Sequence, residues 1–489
     1  MKSKILVIFL ALTAFVFTFT STTSAHQNHK APPTLPGVPD FNATDAEEEG
    51  YWYSRYNLLS LVMQSGNGQA FMPDPATMMA AIQAVDADPN DGDTVVPPAN
   101  PAMLRIVYAG GDPHLTQMMD PSDFATLRWV GGDTTVTTEA SAWTIVKELE
   151  WAKQFHVDFH FGTPQDDFGA QRRFMGMVMA LEAKMQLMTW LQQPDLFDDS
   201  LAGDYVMLTA LSDASSVFGA ATLPHSASNR YTDPMATQMF AQAADTLFAQ
   251  LKESEPESIR ELSLGIQSLV WYAANTSNAD NKADALDMIA DWGQELAKEN
   301  AHTTVNRAYK VRGLIEAGRT TNNNHLLRKA AQTFKQMVRK YDGRYGIFKH
   351  QNTYTIDDAG TILGSINAAR LFLGDRIDQV RAEEIFAGFY EGTVNIGGLL
   401  IAAPPVELFK APFEQEEPEL FLRYPTTPFP PMAGGDYGIA PVFAASVTWD
   451  GAQWSADQGN FDTAGAMHTA NEMIWFHNDE VNGFPEIGN

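Results

Sequence analysis

The stretch Tyr354–Gly374, YTIDDAGTILGSINAARLFLG, decides the fold. After the paired aspartates it is apolar or small almost throughout, so a helix here has no face left for solvent and must be enclosed by other elements. Gly360, Gly364, Ser365, Ala368 and Ala369 let a neighbouring backbone come close. Residues 258–274 have the same character, whereas residues 281–299 carry their charges on one face. Enclosed and surface helices therefore alternate.

Working outward, apolar residues recur at three- and four-residue steps from Thr137 nearly to the C-terminus, as in EASAWTIVKELEWAKQF, DYVMLTALSDASSVFGAA and TVNRAYKVRGLIEAG. The spacing between successive helix pairs is roughly 40 to 50 residues, the length of a supersecondary repeat. Such hairpins stack as an open solenoid or close into a ring. Upstream, residues 51–136 mix helical segments such as PATMMAAIQAV with a short strand pattern, LRIVYAG. Residues 402–460 are rich in proline, glycine and aromatics and predict a long irregular insertion before the last helix, FDTAGAMHTANEMIWFH.

This alternation of helix types over residues 137–477 resembles the α/α-toroid families, the six-hairpin glycosidase-like proteins and the N-acylglucosamine 2-epimerases. The resemblance rests on repeat pattern and transfers no catalytic residue. It implies a mainly α fold, an α/α toroid of helical hairpins over 137–489, with a small mixed N-terminal region. The same toroid also carries terpenoid and prenyl chemistry, so the fold alone does not fix a substrate.

Residues 1–25 have the form of a secretory signal: Met1-Lys2-Ser3-Lys4, an apolar run from Ile5 to Phe19, and Thr23-Ser24-Ala25. The expectation is a secreted or periplasmic protein with no stable membrane span after cleavage, and a flexible leader over residues 26–50. The chain has no cysteine, so its 489 residues are held by their core, and iron–sulfur clusters and covalent haem are excluded. A formal charge of −28 without a basic block disfavours nucleic acid as a partner. Phosphate-loop, dinucleotide, HExxH and GxSxG motifs are absent.

Asp357 and Asp358 open the enclosed helix, and Thr355 with Asp358 has capping-box spacing, so each aspartate is either a cap or an acid/base group. Tyr354, just upstream, either positions a sugar or lines the loop. On the last helix His468, Glu472 and Trp475 share a face: either a sugar-reading set, with Glu472 the second carboxylate, or a histidine bonded within the core. A glycosidase needs two carboxyl groups at a defined separation, which sequence distance does not supply. Arg172 and Arg173 precede an apolar helix and need a carboxylate partner, with Asp158 available, or a bound anion.

No cofactor is required by these motifs. Two metal expectations stand beside structural readings. In HVDFH, His156, Asp158 and His160 share one face of an extended segment and offer two ligands of a transition-metal site. In DADPNDGD, Asp86, Asp88, Asn90 and Asp93 form either an irregular Ca2+ loop or a solvated acidic turn, because Gly92 and Pro97 depart from the EF-hand pattern. Three functions follow as expectations. The first is a secreted glycan-binding protein acting as a carbohydrate-active hydrolase, lyase or epimerase, with a glycan or other small molecule as ligand. The others are a noncatalytic exported binding or surface-assembly protein, and a metal-dependent enzyme built on His156 and Asp158.

Overall fold

The computed structural model describes residues 41–44, 46–47, 50, 54, 68–71, 73–85, 103–111, 115–118, 127–129, 134–155, 169–223, 228–399, 443–457 and 461–473. The fold is mainly α, with twelve helices and short strands among the described residues.

The packed chain begins earlier than the expected boundary at Tyr51. Residues 43, 44, 46, 47, 50 and 54 are helical, Ser54 donates to the Ala470 carbonyl at 2.7 Å, and Arg370 pairs with Glu47 at 2.6 Å. β1 (Gly68–Phe71) and β2 (Met103–Val107) pair antiparallel, with α1 (Pro75–Val85) between them in sequence. Asp74 starts α1 by accepting from Ala76 and Thr77, and Pro75 sits where a missing N–H costs nothing. Short strands β3 (Gly110–Gly111), β4 (Leu115–Met118) and β5 (Leu127–Trp129) follow.

The remaining helices come in two kinds, as the sequence patterns predict. α2 (Thr138–Phe155), α4 (Leu201–Gly219), α6 (Ile259–Asn275), α8 (Thr304–Thr320), α10 (Ile356–Phe372) and α12 (Thr463–Met473) are buried over most of their circumference. Between them run α3 (Gly169–Gln192), α5 (Pro234–Leu251), α7 (Ala279–Lys298), α9 (Asn324–Val338) and α11 (Gln379–Tyr390). α7 buries only the stripe Ala285, Ile289, Gly293 and Leu296, leaving its charges in water.

The contacts of the enclosed helices form a closed cycle. α2 packs on α4, α4 on α6, α6 on α8, α8 on α10, α10 on α12, and α12 returns to α2. Each of α3, α5, α7, α9 and α11 packs against the enclosed helix that precedes it. Close approach between α10 and α12 depends on glycine: a Cβ at Gly360 would lie 2.7 Å from the Thr469 Cα, and one at Gly364 would fall 1.7 Å from Oε2 of Glu472.

Several connections are short, and their helices are capped. Asn278, with only residues 276–278 between α6 and α7, accepts from Asp280 and Asn281, and Ser258, Thr303 and Asp233 cap α6, α8 and α5 in the same way. Short strands β6 (Tyr341–Asp342) and β7 (Ile347–Phe348) link α9 towards α10. The expected irregular insertion over 402–460 is not irregular to its end. β9 (Ser446–Trp449) and β10 (Trp454–Asp457) form a hairpin, and β9 also pairs with β8 (Thr353–Thr355) at the start of α10. The hairpin forms because Asp450 accepts from Ala452 and Gln453 while Gly451 takes a φ of +102°, and because Val447 and Trp449 bury alternate positions. β11 (Phe461–Asp462) pairs with β3 and leads directly into α12.

Candidate functional site

The N-terminal turns of the enclosed helices meet at one end of the cycle. Gly203, the third residue of α4, packs on Thr138 and Glu139 at the start of α2. Arg260, the second residue of α6, pairs with Glu139 and donates from Nε to the Tyr309 hydroxyl of α8 at 3.2 Å. Tyr309 donates in turn to Oδ2 of Asp357 at 2.9 Å, and Nδ1 of His468 lies 2.8 Å from Oδ1 of the same carboxylate. Trp143 of α2 closes the group, its ring 4.8 Å from the His468 ring and its indole N–H donating to Glu139 at 3.4 Å. Five helices thus contribute to one polar cluster.

The cluster is graded in depth. The side chains of Asp357, Arg260 and Glu139 keep 25%, 32% and 17% of their surface in solvent, whereas His468 keeps 4%. Beneath His468 the axis remains polar. Glu472 Oε1 lies 3.9 Å from His468 Nε2 and 3.7 Å from Arg312, which also faces Glu316 at 3.6 Å and donates to Gln267 at 3.2 Å. A core charge survives only when opposite charges or hydrogen bonds surround it, and here carboxylates and cations alternate down the axis.

These neighbours set the protonation states. Burial alone would raise the Asp357 carboxyl, but His468, Arg260 and the Tyr309 hydroxyl together hold it well below the usual carboxylate range. Burial opposes the His468 imidazolium, yet Asp357 and Glu472 on opposite nitrogens raise its pKa above the ordinary value. Burial, then the charge of Asp357, keeps Tyr309 protonated and a donor. Asp462, just ahead of α12, moves the other way: burial and then the charges of Asp357 and Glu139 raise it, although it accepts from Gly465 at 3.0 Å.

Several expected residues take other places. Asp358 completes the capping box of α10, whose N-cap is Thr355: it accepts from Thr355 N at 3.2 Å while its own N–H donates to Thr355 Oγ1 at 3.1 Å, so its carboxylate is committed to the helix end. Tyr354 is fully buried, accepts from Phe348 N at 2.8 Å and packs on Phe389 and Trp454, which removes it from any ligand surface. Arg173 donates to the Val85 carbonyl at 3.1 Å, tying α3 to the end of α1 rather than meeting a ligand at the cycle. Glu472 is close to Asp357 only through His468. The imidazole stands between them, so they do not flank an open space as a hydrolytic pair must.

His156, Asp158, His160, Asp86, Asp88, Asn90, Asp93, Trp475 and the Arg172 side chain lie outside the described residues, as do residues 1–40. Among the described residues no three histidine or carboxylate side chains are placed to hold a metal ion, and no helix is long and apolar enough to cross a membrane.

Glu139, Trp143, Arg260, Tyr309 and Asp462 were not singled out by sequence. The available signal was polar residues on enclosed helices: Tyr309, Arg312 and Glu316 fall at three- and four-residue steps in a largely buried helix, and such groups require partners. No protein-family model matches the chain, and no curated protein shows significant similarity to it.

Proposed function

We propose that the protein is an exported glycan-binding protein whose ligand rests on the N-terminal end of the helical cycle, over Glu139, Arg260 and Asp357. The observation that supports this most is the convergence of five enclosed helices on one partly exposed cluster that offers carboxylate acceptors and a guanidinium donor side by side. Adjacent sugar hydroxyls need that mixture, since each both donates and accepts. The ligand is neutral. Glu139 and Asp357 already engage Arg260, and Asp358 and Asp462 add carboxyl groups under the influence of the Asp357 charge, on a chain of formal charge −28, so a polyanionic glycan is repelled.

For carbohydrate-active chemistry at this end, Asp357 and Asp462 are the pair to use. Their surroundings push them in opposite directions: His468, Arg260 and Tyr309 favour the ionised form of Asp357, which suits a base or nucleophile, and burial with the charges of Asp357 and Glu139 raises Asp462, the direction a proton donor needs. No cofactor is called for. The test is product release from neutral oligosaccharides by the wild type and by Asp462→Asn, with ligand binding measured on the same samples. Loss of turnover in Asp462→Asn with binding kept supports the assignment. Turnover unchanged in Asp462→Asn refutes it, and binding without product in the wild type assigns a noncatalytic binding role.

A further inference from the structure

Away from the cycle's end, two carboxyl groups are enclosed together. Glu148 of α2 and Glu182 of α3 are each 1% exposed. Glu148 Oε1 accepts from Gln186 Nε2 at 2.7 Å, Gln186 lying one turn beyond Glu182 on α3, and Glu182 Oε1 accepts from the backbone N–H of Leu104 in β2. Oε2 of Glu148 and Oε1 of Gln186 have no hydrogen-bond partner.

The described cations of α2, α3 and β2 are engaged elsewhere. On α2, Lys147 contacts Glu150 and Lys153 contacts Asp213; on α3, Lys184 pairs with Asp233 and Arg173 bonds to Val85; on β2, Arg105 donates to Gln69. The charge acting on Glu148 is that of Glu182, with no cation among the described residues opposing it. Two carboxylates in one enclosed space without a cation do not both ionise at a tolerable cost. A proton on Glu148 Oε2 converts an unpaired acceptor into a donor, on a side chain already joined to Gln186.

We propose that the Glu148–Glu182 pair is a proton-held latch that fastens β2, and with it the β1–β2 pair, onto the α2–α3 hairpin and releases it as pH rises. β2 packs on both helices, and the Glu182 bond to Leu104 is its polar tie to α3. Burial raises both groups, Glu148 well above its ordinary range and Glu182 to about 8. An acid whose folded pKa is raised binds more protons folded than open, so the contact is firmest below the ordinary value of 4.5 and weakens as pH climbs towards the folded value. This device is independent of any ligand at the cycle's end.

The test is amide hydrogen exchange on the full chain between pH 5 and 9, expressed as protection relative to the intrinsic rate at each pH. In the wild type the opening constant at residues 103–107 rises about tenfold per pH unit for each proton released, while amides in the middle of α6 keep their protection. Glu182→Gln retains an acceptor for Leu104, and Glu148→Gln retains one for Gln186; the double variant holds β2 with no pH dependence. Wild-type protection that does not change with pH overturns the proposal. So does a pH dependence that persists in the double variant, or a loss of protection in α6 in step with β2. Should the double variant not fold, each single variant must show a smaller pH slope than the wild type, and an unchanged slope in both overturns it.

Discussion

Nδ1 of His468 lies 2.8 Å from Oδ1 of Asp357, joining α12 to α10 where the last enclosed helix closes the cycle. The contact is an ion pair more than a well-directed hydrogen bond, since the ring nitrogen has no aligned acceptor. Removing either partner leaves a charge in a poorly solvated place, the kind of loss that exceeds any net gain from the pair itself.

His468→Gln is therefore expected to lower stability by about 3 kcal/mol at pH 6, measured by denaturant unfolding. The raised imidazole pKa means this stabilisation is complete below the ordinary value of 6.5 and fades as pH rises through the folded value. The depressed Asp357 carboxyl works at the other edge, its share being present above 3.8 and lost as pH falls through its folded value. The stability difference between variant and wild type should shrink at alkaline pH. An equal difference at pH 6 and at high pH would contradict the assignment.

Asp358 and Asp357 are neighbours with separable roles. Asp358→Ala removes half of a capping box and should cost about 1 kcal/mol, with ligand affinity at the cycle's end unchanged. An affinity loss as large as that of Asp357→Asn, in a variant that unfolds normally, would place Asp358 in the site.

Gly360→Ala puts a methyl group against the Thr469 backbone and should destabilise by about 1 to 3 kcal/mol through displacement of α12. The substitution raises helix propensity, so a gain in thermal stability would show that α10 and α12 are not packed this closely.

How much was legible in the sequence follows from which interactions are local. α1 spans PATMMAAIQAV as its pattern predicts, and the small residues of α10 foretold an enclosed helix, because periodicity and side-chain size act within one segment. The Thr355–Asp358 cap was readable for the same reason. Arg260, Tyr309 and Glu139 were not, since their meaning comes from helices distant in sequence meeting at one end of the cycle. Tyr354 misled because a tyrosine beside an aspartate pair reads as a ligand contact or a loop-lining residue, and only the positions of Phe348 and Phe389 show that it is core. The β9–β10 hairpin was hidden by the proline-rich sequence before it, although its Asp450-Gly451 turn is a local signal.

The most direct test of a neutral-glycan site at the N-terminal end of the cycle is calorimetric titration of the purified protein with neutral and uronate-containing oligosaccharides, in parallel for the wild type, Glu139→Gln and Asp357→Asn. Neutral oligosaccharides are expected to bind, uronate chains to bind more weakly, and each variant to lose about tenfold or more in affinity, as for a hydrogen bond to a charged group, while remaining folded. Tighter binding of uronate chains, or neutral-glycan affinity unaffected by both substitutions, would contradict such a site.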